Sequence, residues 1–311
     1  MKTGILFAGQ GSQHPGMGAD LYEKYPEFRK VFDLLTEEER EAAFNGSPEA
    51  LSDTRITQPV MVAMEIGIAE ILSGRGVRAD MAAGLSLGEY SALACAGVFT
   101  AEEAVNIVRV RGRAMAEASK GIDCGMAAVL GLSPDEVREC CEKATRDTGS
   151  TAEAVNFNCP GQIVISGEAA AVAKACDIAK EKGAKRTMPL PVSGPFHTVF
   201  MEPASRVLAE VFNETEFGKP EIPVVTNVTG RALGEDDDIA ANLVKQVKSP
   251  VLFQDSLRYM EEKGVKVFIE IGPGKALSGF VRKTCSRDSV ILNAETAEDI
   301  ENLLEKLKEI R

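Results

Sequence analysis

The sequence of 311 residues lacks several features that would assign it to a familiar class of protein. None of its seven cysteines has the C-x-x-C spacing, and their odd number includes an adjacent pair. This pattern predicts free thiols in the cytoplasm rather than a disulfide framework or a zinc site. No stretch approaches the roughly 18 consecutive apolar residues of a membrane span, and the apolar start is too short for a signal peptide. We therefore expect a soluble cytoplasmic protein that does not bind a membrane.

Basic residues are also scarce relative to acidic ones. The chain has 35 Lys and Arg against 47 Asp and Glu, which gives a formal net charge of −12 at pH 7. A nucleic-acid-binding protein usually presents a basic face, so this balance argues against nucleic acid as a partner. An acidic protein partner would need a local basic patch.

The sequence also lacks a dinucleotide-binding fingerprint. Residues 2–8 are predicted to form a buried strand, and a glycine-rich loop follows at residues 9–18. The pattern G-x-G-x-x-G would need glycine at position 14, where His14 stands. Ligand contacts in open α/β sheets nevertheless lie at strand ends, and Gln10 lies just past this one. Gln10 is therefore either a contact residue or a solvent-facing loop glutamine.

What the sequence does contain is the pentapeptide G-L-S-L-G at residues 84–88, between a short apolar run and an Ala-rich run with helical spacing. This is the strand, turn and helix context of a nucleophile elbow, with Ser86 at its centre. Both glycines are needed there because a Cβ would collide with the adjoining strand or helix. Backbone N–H groups at the start of the helix could stabilise an oxyanion. The alternative is a glycine-rich turn whose serine only caps the helix.

A serine nucleophile needs a base, and the chain has only two histidines. His14 lies in the glycine-rich loop without an evident partner, so we expect a surface residue. His197 follows a proline-stiffened segment that could fix its imidazole, although it could also be structural. The aspartates between Ser86 and His197 lie in the insertion described below or, for Asp123, at its edge. We therefore expect a Ser-His dyad whose histidine is oriented by a neutral group such as a backbone carbonyl.

A capping box at Thr100 and Glu103 opens a predicted helix that continues to about residue 118. Arg111 follows Val108 by three residues and precedes Met115 by four, so it lies on the inward, apolar stripe. It is either a snorkelling or salt-bridged arginine, or a bidentate anchor for a substrate carboxylate.

The predicted elements divide the chain into two units. Residues 126–190 have the order βαββαβ of a ferredoxin-like unit, whereas strands and helices alternate elsewhere. We predict an α/β protein with a large discontinuous domain at residues 1–121 and 192–311, and a small inserted domain at residues 122–191.

Six blocks together resemble one known family, the malonyl-CoA:acyl carrier protein transacylases of type II fatty acid synthesis. The resemblance runs almost from end to end, and the order of the blocks makes it specific. It implies an α/β-hydrolase-like core with a parallel sheet and an inserted ferredoxin-like domain. The blocks are F-A-G-Q-G-S-Q (7–13), G-L-S-L-G-E-Y-S-A-L (84–93), V-R-G-R-A-M (110–115), N-F-N-C-P-G-Q (156–162), P-V-S-G-P-F-H (191–197) and E-I-G-P-G-K (270–275).

The resemblance also implies a role for each candidate residue. It makes Ser86 the nucleophile, His197 the base and Arg111 the clamp for the malonyl carboxylate. The oxyanion donors are the backbone N–H groups of Gln10 and Leu87. The backbone carbonyl of Gln246 orients the histidine, and Phe196 matches malonyl-specific relatives. One departure is Leu85, where the family often has histidine, so any contact of that histidine is lost.

The implied activity is ping-pong transfer of malonyl from malonyl-CoA to the phosphopantetheine thiol of acyl carrier protein, without cofactor or metal. We expect a monomer, although nothing in the residues fixes the oligomeric state. The carrier is acidic in this family, and two basic pairs are candidates for its docking: Lys185 with Arg186, and Arg282 with Lys283. The alternative is that these are ordinary solvated charges. Other functions left open are a loading acyltransferase for polyketide carriers, a serine esterase or thioesterase with a third acid, and a non-catalytic docking module.

Overall fold

The computed structural model describes residues 1–191 and 193–310. In chain order its strands are β1 (Lys2–Phe7), β2 (Met81–Gly84), β3 (Cys124–Leu130), β4 (Ala152–Cys159), β5 (Gln162–Glu168), β6 (Arg186–Leu190), β7 (Val224–Val225), β8 (Val265–Ile271) and β9 (Val290–Ala294). Its α-helices are α1 (Ala19–Lys24), α2 (Pro26–Phe32), α3 (Glu37–Asn45), α4 (Pro48–Leu51), α5 (Thr54–Gly74), α6 (Gly88–Cys95), α7 (Ala101–Ala118), α8 (Pro134–Thr148), α9 (Ala169–Glu181), α10 (Glu202–Asn213), α11 (Ile239–Gln246), α12 (Phe253–Glu262), α13 (Ala276–Thr284) and α14 (Ala297–Ile310).

Five of these strands form a parallel sheet in the order β7-β2-β1-β8-β9. The central strands β1 and β8 are almost entirely buried, as expected for a parallel sheet that is covered on both faces. Phe7 pairs with Gly84 on one side and with Ile271 on the other. The loops that follow β1, β2 and β8 therefore leave the sheet side by side, where ligands bind in open α/β sheets.

The other four strands form an antiparallel sheet in the order β4-β5-β3-β6. With α8 and α9 packed on it, this βαββαβ segment has the predicted ferredoxin-like topology and a hydrophobic cluster of its own. The predicted fold class is confirmed. The domain boundaries stay a prediction, and residue 192, where the large domain was predicted to resume, lies outside the described residues.

The antiparallel sheet is hydrogen-bonded to the segment that follows α11. Val251 pairs in parallel with Asn156 of β4; its N–H donates to the Val155 carbonyl at 2.8 Å, and its carbonyl accepts from the Phe157 N–H at 2.9 Å. The small sheet is thereby held against the chain just beyond Gln246, which becomes important in the site.

Several helices differ from the sequence prediction for identifiable reasons. The sequence predicts a single helix at residues 22–35, but Tyr25 is extended (φ −119°, ψ 110°) because the proline at position 26 disfavours a helical residue before it. The sequence also predicts a helix at residues 59–72. The observed α5 begins earlier, because the Asp53 side chain caps it by accepting from the Arg55 N–H. Helices α3 and α10 were not predicted. A capping box at Thr36 begins α3 and could have revealed it.

Helix α5 is long and apolar enough to cross a membrane, yet 83% of its apolar window is buried inside the protein. It packs mainly against α2 and α7. It does not appear as a long apolar run in the sequence because polar residues such as Glu65 and Glu70 interrupt it.

Candidate active site

Ser86 occupies the tight turn between β2 and α6. Its φ of 53° lies in the left-handed region, which non-glycine residues seldom adopt outside functional sites. A Cβ on Gly84 would lie 1.9 Å from the carbonyl carbon of Gly88, and one on Gly88 would lie 2.3 Å from the oxygen of Phe7. The steric requirement for both glycines, predicted from the sequence, is therefore confirmed.

The structure brings His197 to Ser86. The serine Oγ and His197 Nε2 are 2.7 Å apart, and His197 Nδ1 lies 3.1 Å from the backbone carbonyl of Gln246. Because a carbonyl can only accept, Nδ1 carries the proton and Nε2 is left as an acceptor for the serine hydroxyl. The partner of the imidazole is thus neutral, as the absence of a well-placed acid predicts.

His197 is fully buried, and burial is the main reason that its pKa is lowered from 6.5 to about 4. The positive charge of Arg111 lowers this pKa further, whereas the carbonyls of Gln246 and Ser249 raise it. The imidazole is therefore neutral at pH 7 and can accept a proton.

Arg111 faces inward, as its spacing on α7 predicts, and only 1% of it is exposed. Its Nη1 donates to Gln58 Oε1 at 2.9 Å, and its Nη2 donates at 3.2 Å both to Ser86 Oγ and to Gln246 Oε1. Its Cζ lies 5.4 Å from the centre of the Tyr90 ring. None of these partners is a carboxylate, and within the described part of the chain Arg111 makes no ion pair. A buried cation thus lies beside the serine with no carboxylate bonded to it, and Glu89 attracts it only from a distance.

The two predicted oxyanion donors come from the loop after β1 and from the elbow itself. Gln10 follows β1, and Leu87 directly follows the serine. In residues 1–191 and 193–310, neither backbone N–H donates to another protein group. The side-chain oxygen of Gln10 accepts from Thr54 Oγ1 at 2.8 Å, which fixes the residue while its N–H stays available. Both residues border the cavity described next.

A cavity of about 380 Å³ lies between the two sheets and contains these groups. Phe196 lines it and is 8% exposed, and Leu85 lines it from the elbow. Its other wall comes from the small unit and includes Met126, Asn156, Asn158, Val164 and Leu190. The size and the apolar lining are those of a site for an acyl chain or a thioester arm.

Sequence reasoning missed three polar residues around the serine. Asn227 accepts from the Ser86 N–H through Oδ1 and donates from Nδ2 to the Gly84 carbonyl, both at 2.6 Å. Gln58 holds Arg111, as described above. Glu89, in the first turn of α6, is completely buried. A carboxylate among the alanines of that helix was the one available signal, because the partners of Glu89 are remote in sequence.

The remaining predicted residues lie outside the cavity. His14 is a surface residue, as predicted, with 51% of its side chain exposed. The sequence shows no evident partner for it, but the structure supplies one: its Nε2 lies 2.7 Å from Glu295 Oε1, and this contact raises its pKa.

The two basic pairs lie close together. Lys283 Nζ donates to Gln162 Oε1 at 3.3 Å, and Leu130 pairs with Gln162 on one side and with Arg186 on the other. Their four side chains are exposed.

Comparison with known proteins agrees with this geometry. A family model described as "Acyl transferase domain" matches residues 5–304. A malonyl CoA-acyl carrier protein transacylase of Bacillus subtilis is 42% identical over 312 residues, which cover 99% of this chain and 98% of the relative. The chain belongs to the acyl transferase family.

Similarity to other members of the family extends over the whole fold. A malonyl CoA-acyl carrier protein transacylase of Staphylococcus aureus is 39% identical, and the match covers 96% of this chain and 97% of the relative. The crystal structure of the enzyme from Clostridium perfringens superposes with a TM-score of 0.93 at 42% identity, covering 100% of this chain and 98% of that one. A malonyl-transacylase solved in complex with a type II polyketide acyl-carrier protein superposes with a TM-score of 0.92 at 35% identity, covering 98% and 100%.

Proposed function

We propose that this chain transfers malonyl groups from malonyl-CoA to the phosphopantetheine thiol of acyl carrier protein for fatty acid synthesis, through an ester on Ser86. The observation that carries the proposal is the position of Arg111. Its buried guanidinium lies 3.2 Å from the serine hydroxyl and has no carboxylate partner. A substrate with a carboxylate close to its reacting carbonyl would supply a directly bonded carboxylate, and malonyl has that shape.

The first half-reaction forms the ester. His197 Nε2 takes the proton of Ser86 Oγ, and the oxygen attacks the thioester carbonyl. The developing oxyanion accepts hydrogen bonds from the N–H groups of Gln10 and Leu87, each worth about 3 kcal/mol in the transition state. The C–S bond then breaks, and the proton on His197 passes to the departing sulfur.

The second half-reaction reverses this sequence with another thiol. The phosphopantetheine thiol gives its proton to His197 and attacks the ester carbonyl while Arg111 holds the malonyl carboxylate. Ser86 Oγ leaves and recovers the proton from His197. Since every participating group is a side chain or backbone N–H of this chain, the proposed reaction uses no cofactor or metal.

The orientation of His197 supports transfer over hydrolysis. A serine esterase or thioesterase of the triad type would place a carboxylate against His197 Nδ1, where this chain has the carbonyl of Gln246. A second acyl acceptor has specific support, because the malonyl-transacylase at TM-score 0.92 was solved with a polyketide carrier. Parallel assays with a fatty acid carrier and a polyketide carrier would decide which one this chain prefers.

We infer that the carrier docks on the two basic pairs. Helix α13 begins at the cavity, which Leu277 lines, and its last turn carries Arg282 and Lys283. Lys185 and Arg186 lie across Gln162 from them. An acidic carrier would be attracted to this local patch in spite of the net charge of the chain.

We also infer that the protein works as a monomer in the cytoplasm. All seven cysteines are free thiols, which suits a reducing compartment. Light scattering after size exclusion tests the oligomeric state, and a dimer mass at micromolar concentration would contradict the inference.

Mass spectrometry after brief exposure to malonyl-CoA tests the proposed intermediate. We expect a malonyl adduct on the peptide that contains Ser86, and its disappearance when carrier protein is added. Ser86→Ala is the control and should give no adduct. An unmodified wild-type peptide, or an adduct that carrier cannot remove, would contradict the proposed function.

Charge reversal tests the docking surface. Arg282→Glu combined with Lys283→Glu should raise the KM for carrier protein and weaken its salt dependence, while the rate of Ser86 acylation by malonyl-CoA stays unchanged. The control reverses two exposed charges on α14, Lys306→Glu with Lys308→Glu. Equal effects of both double variants would leave general charge, rather than docking, as the cause.

A further inference from the structure

Glu89 is a buried carboxylate that the mechanism above does not use. It lies three residues after Ser86 on α6 and has no exposed surface. Its Oε2 accepts from the Asn227 N–H at 2.9 Å and from Gln246 Nε2 at 3.2 Å, and its Oε1 accepts from Asn242 Nδ2 at 3.0 Å. Removing a carboxylate from water is costly, so a residue kept here needs compensating contacts of this kind.

Two of these partners hold the backbone of the serine. Asn227 Oδ1 accepts from the Ser86 N–H at 2.6 Å, and Gln246 Nε2 donates to the Ser86 carbonyl at 2.7 Å. The amide groups on both sides of a residue with a φ of 53° are thus tied to side chains. Such contacts are what a strained conformation needs in order to persist.

Gln246 extends the same network to the other two functional side chains. Its Oε1 accepts from Arg111 Nη2 at 3.2 Å, and its backbone carbonyl accepts from His197 Nδ1 at 3.1 Å. Because Gln246 Nε2 is shared between Glu89 and Ser86, the carboxylate sets which way the amide points. A reversed amide would put its NH2 group against the guanidinium of Arg111 and its oxygen against the Ser86 carbonyl.

We propose that Glu89 is a positioning residue for the reaction at Ser86. It orients Asn227 and Gln246, which in turn fix the serine backbone and keep Arg111 beside the serine hydroxyl. The inference rests on the proposed function for its consequences, since malonyl transfer is what the positioning serves. Burial raises the pKa of Glu89 to about 7, against the lowering effect of its three donors and of Arg111. What matters for the network is an acceptor at Oε2, which either protonation state can offer.

The test compares three variants of the full chain. Glu89→Ala removes the acceptor, whereas Glu89→Gln can keep an oxygen at the Oε2 position if the Asn242 amide turns to face its NH2 group. Glu65→Gln is the matched control, because Glu65 is also fully buried and also bonds to α6, at Ser91, but has no hydrogen bond to Ser86, Gln246 or Arg111. For each variant the acylation kcat and KM with malonyl-CoA are measured, and reactive sites are counted with a fluorophosphonate reagent run to completion.

We expect Glu89→Ala to lower the acylation kcat per reactive site about 100-fold, with KM changed by less than about threefold, as for a displacement of reacting groups by an ångström. Glu89→Gln and Glu65→Gln should stay within about threefold of wild type. A structural role alone would reduce the number of folded sites and leave kcat per site unchanged, which would overturn the proposal. So would a Glu89→Gln variant as slow as Glu89→Ala, since the charge rather than the acceptor would then be required.

Glu89→Asp provides a second variant should the alanine variant fail to fold. It keeps a carboxylate but withdraws it by one methylene from Asn227 and Gln246, so we expect about a 10-fold loss of kcat, and an unchanged kcat would refute the proposal. The rate of the fluorophosphonate reaction separates this proposal from the proposed function. If wild type forms no malonyl ester, the function fails, while a slower fluorophosphonate reaction in Glu89→Ala would still support positioning.

Discussion

The protonation of His197 gives the sharpest prediction. We expect its imidazole to stay neutral far below the ordinary pKa of histidine, because burial and the charge of Arg111 lower its pKa from 6.5 to about 4. His14 is exposed and its contact with Glu295 raises its pKa. On acidification His14 should therefore take up its proton first, and His197 only near pH 4.

The magnitude follows from linkage. The interval from 6.5 to about 4 corresponds to about 3 kcal/mol, at about 1.4 kcal/mol per pKa unit. Within this interval the unfolded chain binds the proton and the folded chain does not. His197 therefore lowers the free energy of unfolding as the pH falls from 6.5 to about 4, and has no such effect above 6.5.

Glu89 has the opposite effect and must be separated from it. Its pKa is raised from 4.5 to about 7, so the folded chain binds the extra proton and stability falls as the pH rises through this range. The two contributions largely cancel between pH 4.5 and 6.5. We therefore compare the free energies of unfolding in urea of wild type and His197→Gln. The wild-type value minus the variant value should fall by about 3 kcal/mol as the pH is lowered from 6.5 to about 4.

The assay is direct because the chain has only two histidines. An NMR titration of the imidazole C–H signals should show two separate curves, with His14→Gln identifying one of them. Arg111→Ala should move the His197 curve towards higher pH. A His197 signal that titrates within about one pKa unit of 6.5, or together with His14, would refute the argument from burial and charge.

Three further predictions concern the elbow, the clamp and a helix cap. Gly84→Ala should prevent stable folding, because its Cβ would overlap Gly88, whereas Gly74→Ala in open space should stabilise α5 by about 0.5–1 kcal/mol in urea unfolding. Arg111→Ala should lower kcat/KM for malonyl-CoA about 100-fold or more but leave kcat/KM for acetyl-CoA unchanged. Arg113→Ala, at an exposed position on the same helix, is the control and should change neither value. An unchanged preference for malonyl-CoA over acetyl-CoA in Arg111→Ala would remove the clamp role. Thr100→Ala removes the capping box of α7 and should cost about 1 kcal/mol by thermal unfolding, where no loss would contradict the cap.

The sequence was most informative where the cause of a feature is local. The turn around Ser86 could be predicted because the collisions that require glycine occur within five residues and against one adjoining strand. The cap at Thr100 and the inward direction of Arg111 follow equally from helical spacing. The prediction missed α3, which has a capping box at its start but is largely charged and so lacks a clear apolar stripe.

The partners of the site could not be predicted from spacing. The sequence offers two histidines as candidate bases. The structure identifies His197, whose Nε2 lies 2.7 Å from Ser86 Oγ although the two residues are 111 positions apart in sequence. Glu89, Asn227 and Gln246 are likewise brought together from α6, the loop after β7 and the end of α11. Apart from the position of the Glu89 carboxylate in an alanine-rich helix, nothing in their local sequence distinguishes them from ordinary polar residues.

By itself, then, the sequence determined the elements, the strained serine and the inventory of reactive groups, because backbone sterics and helical period act over a few residues. Tertiary structure decided which groups meet, which are shielded from water and hence how they titrate. Those properties depend on low dielectric and on contacts between remote segments, and they exist only once the two sheets have enclosed the cleft.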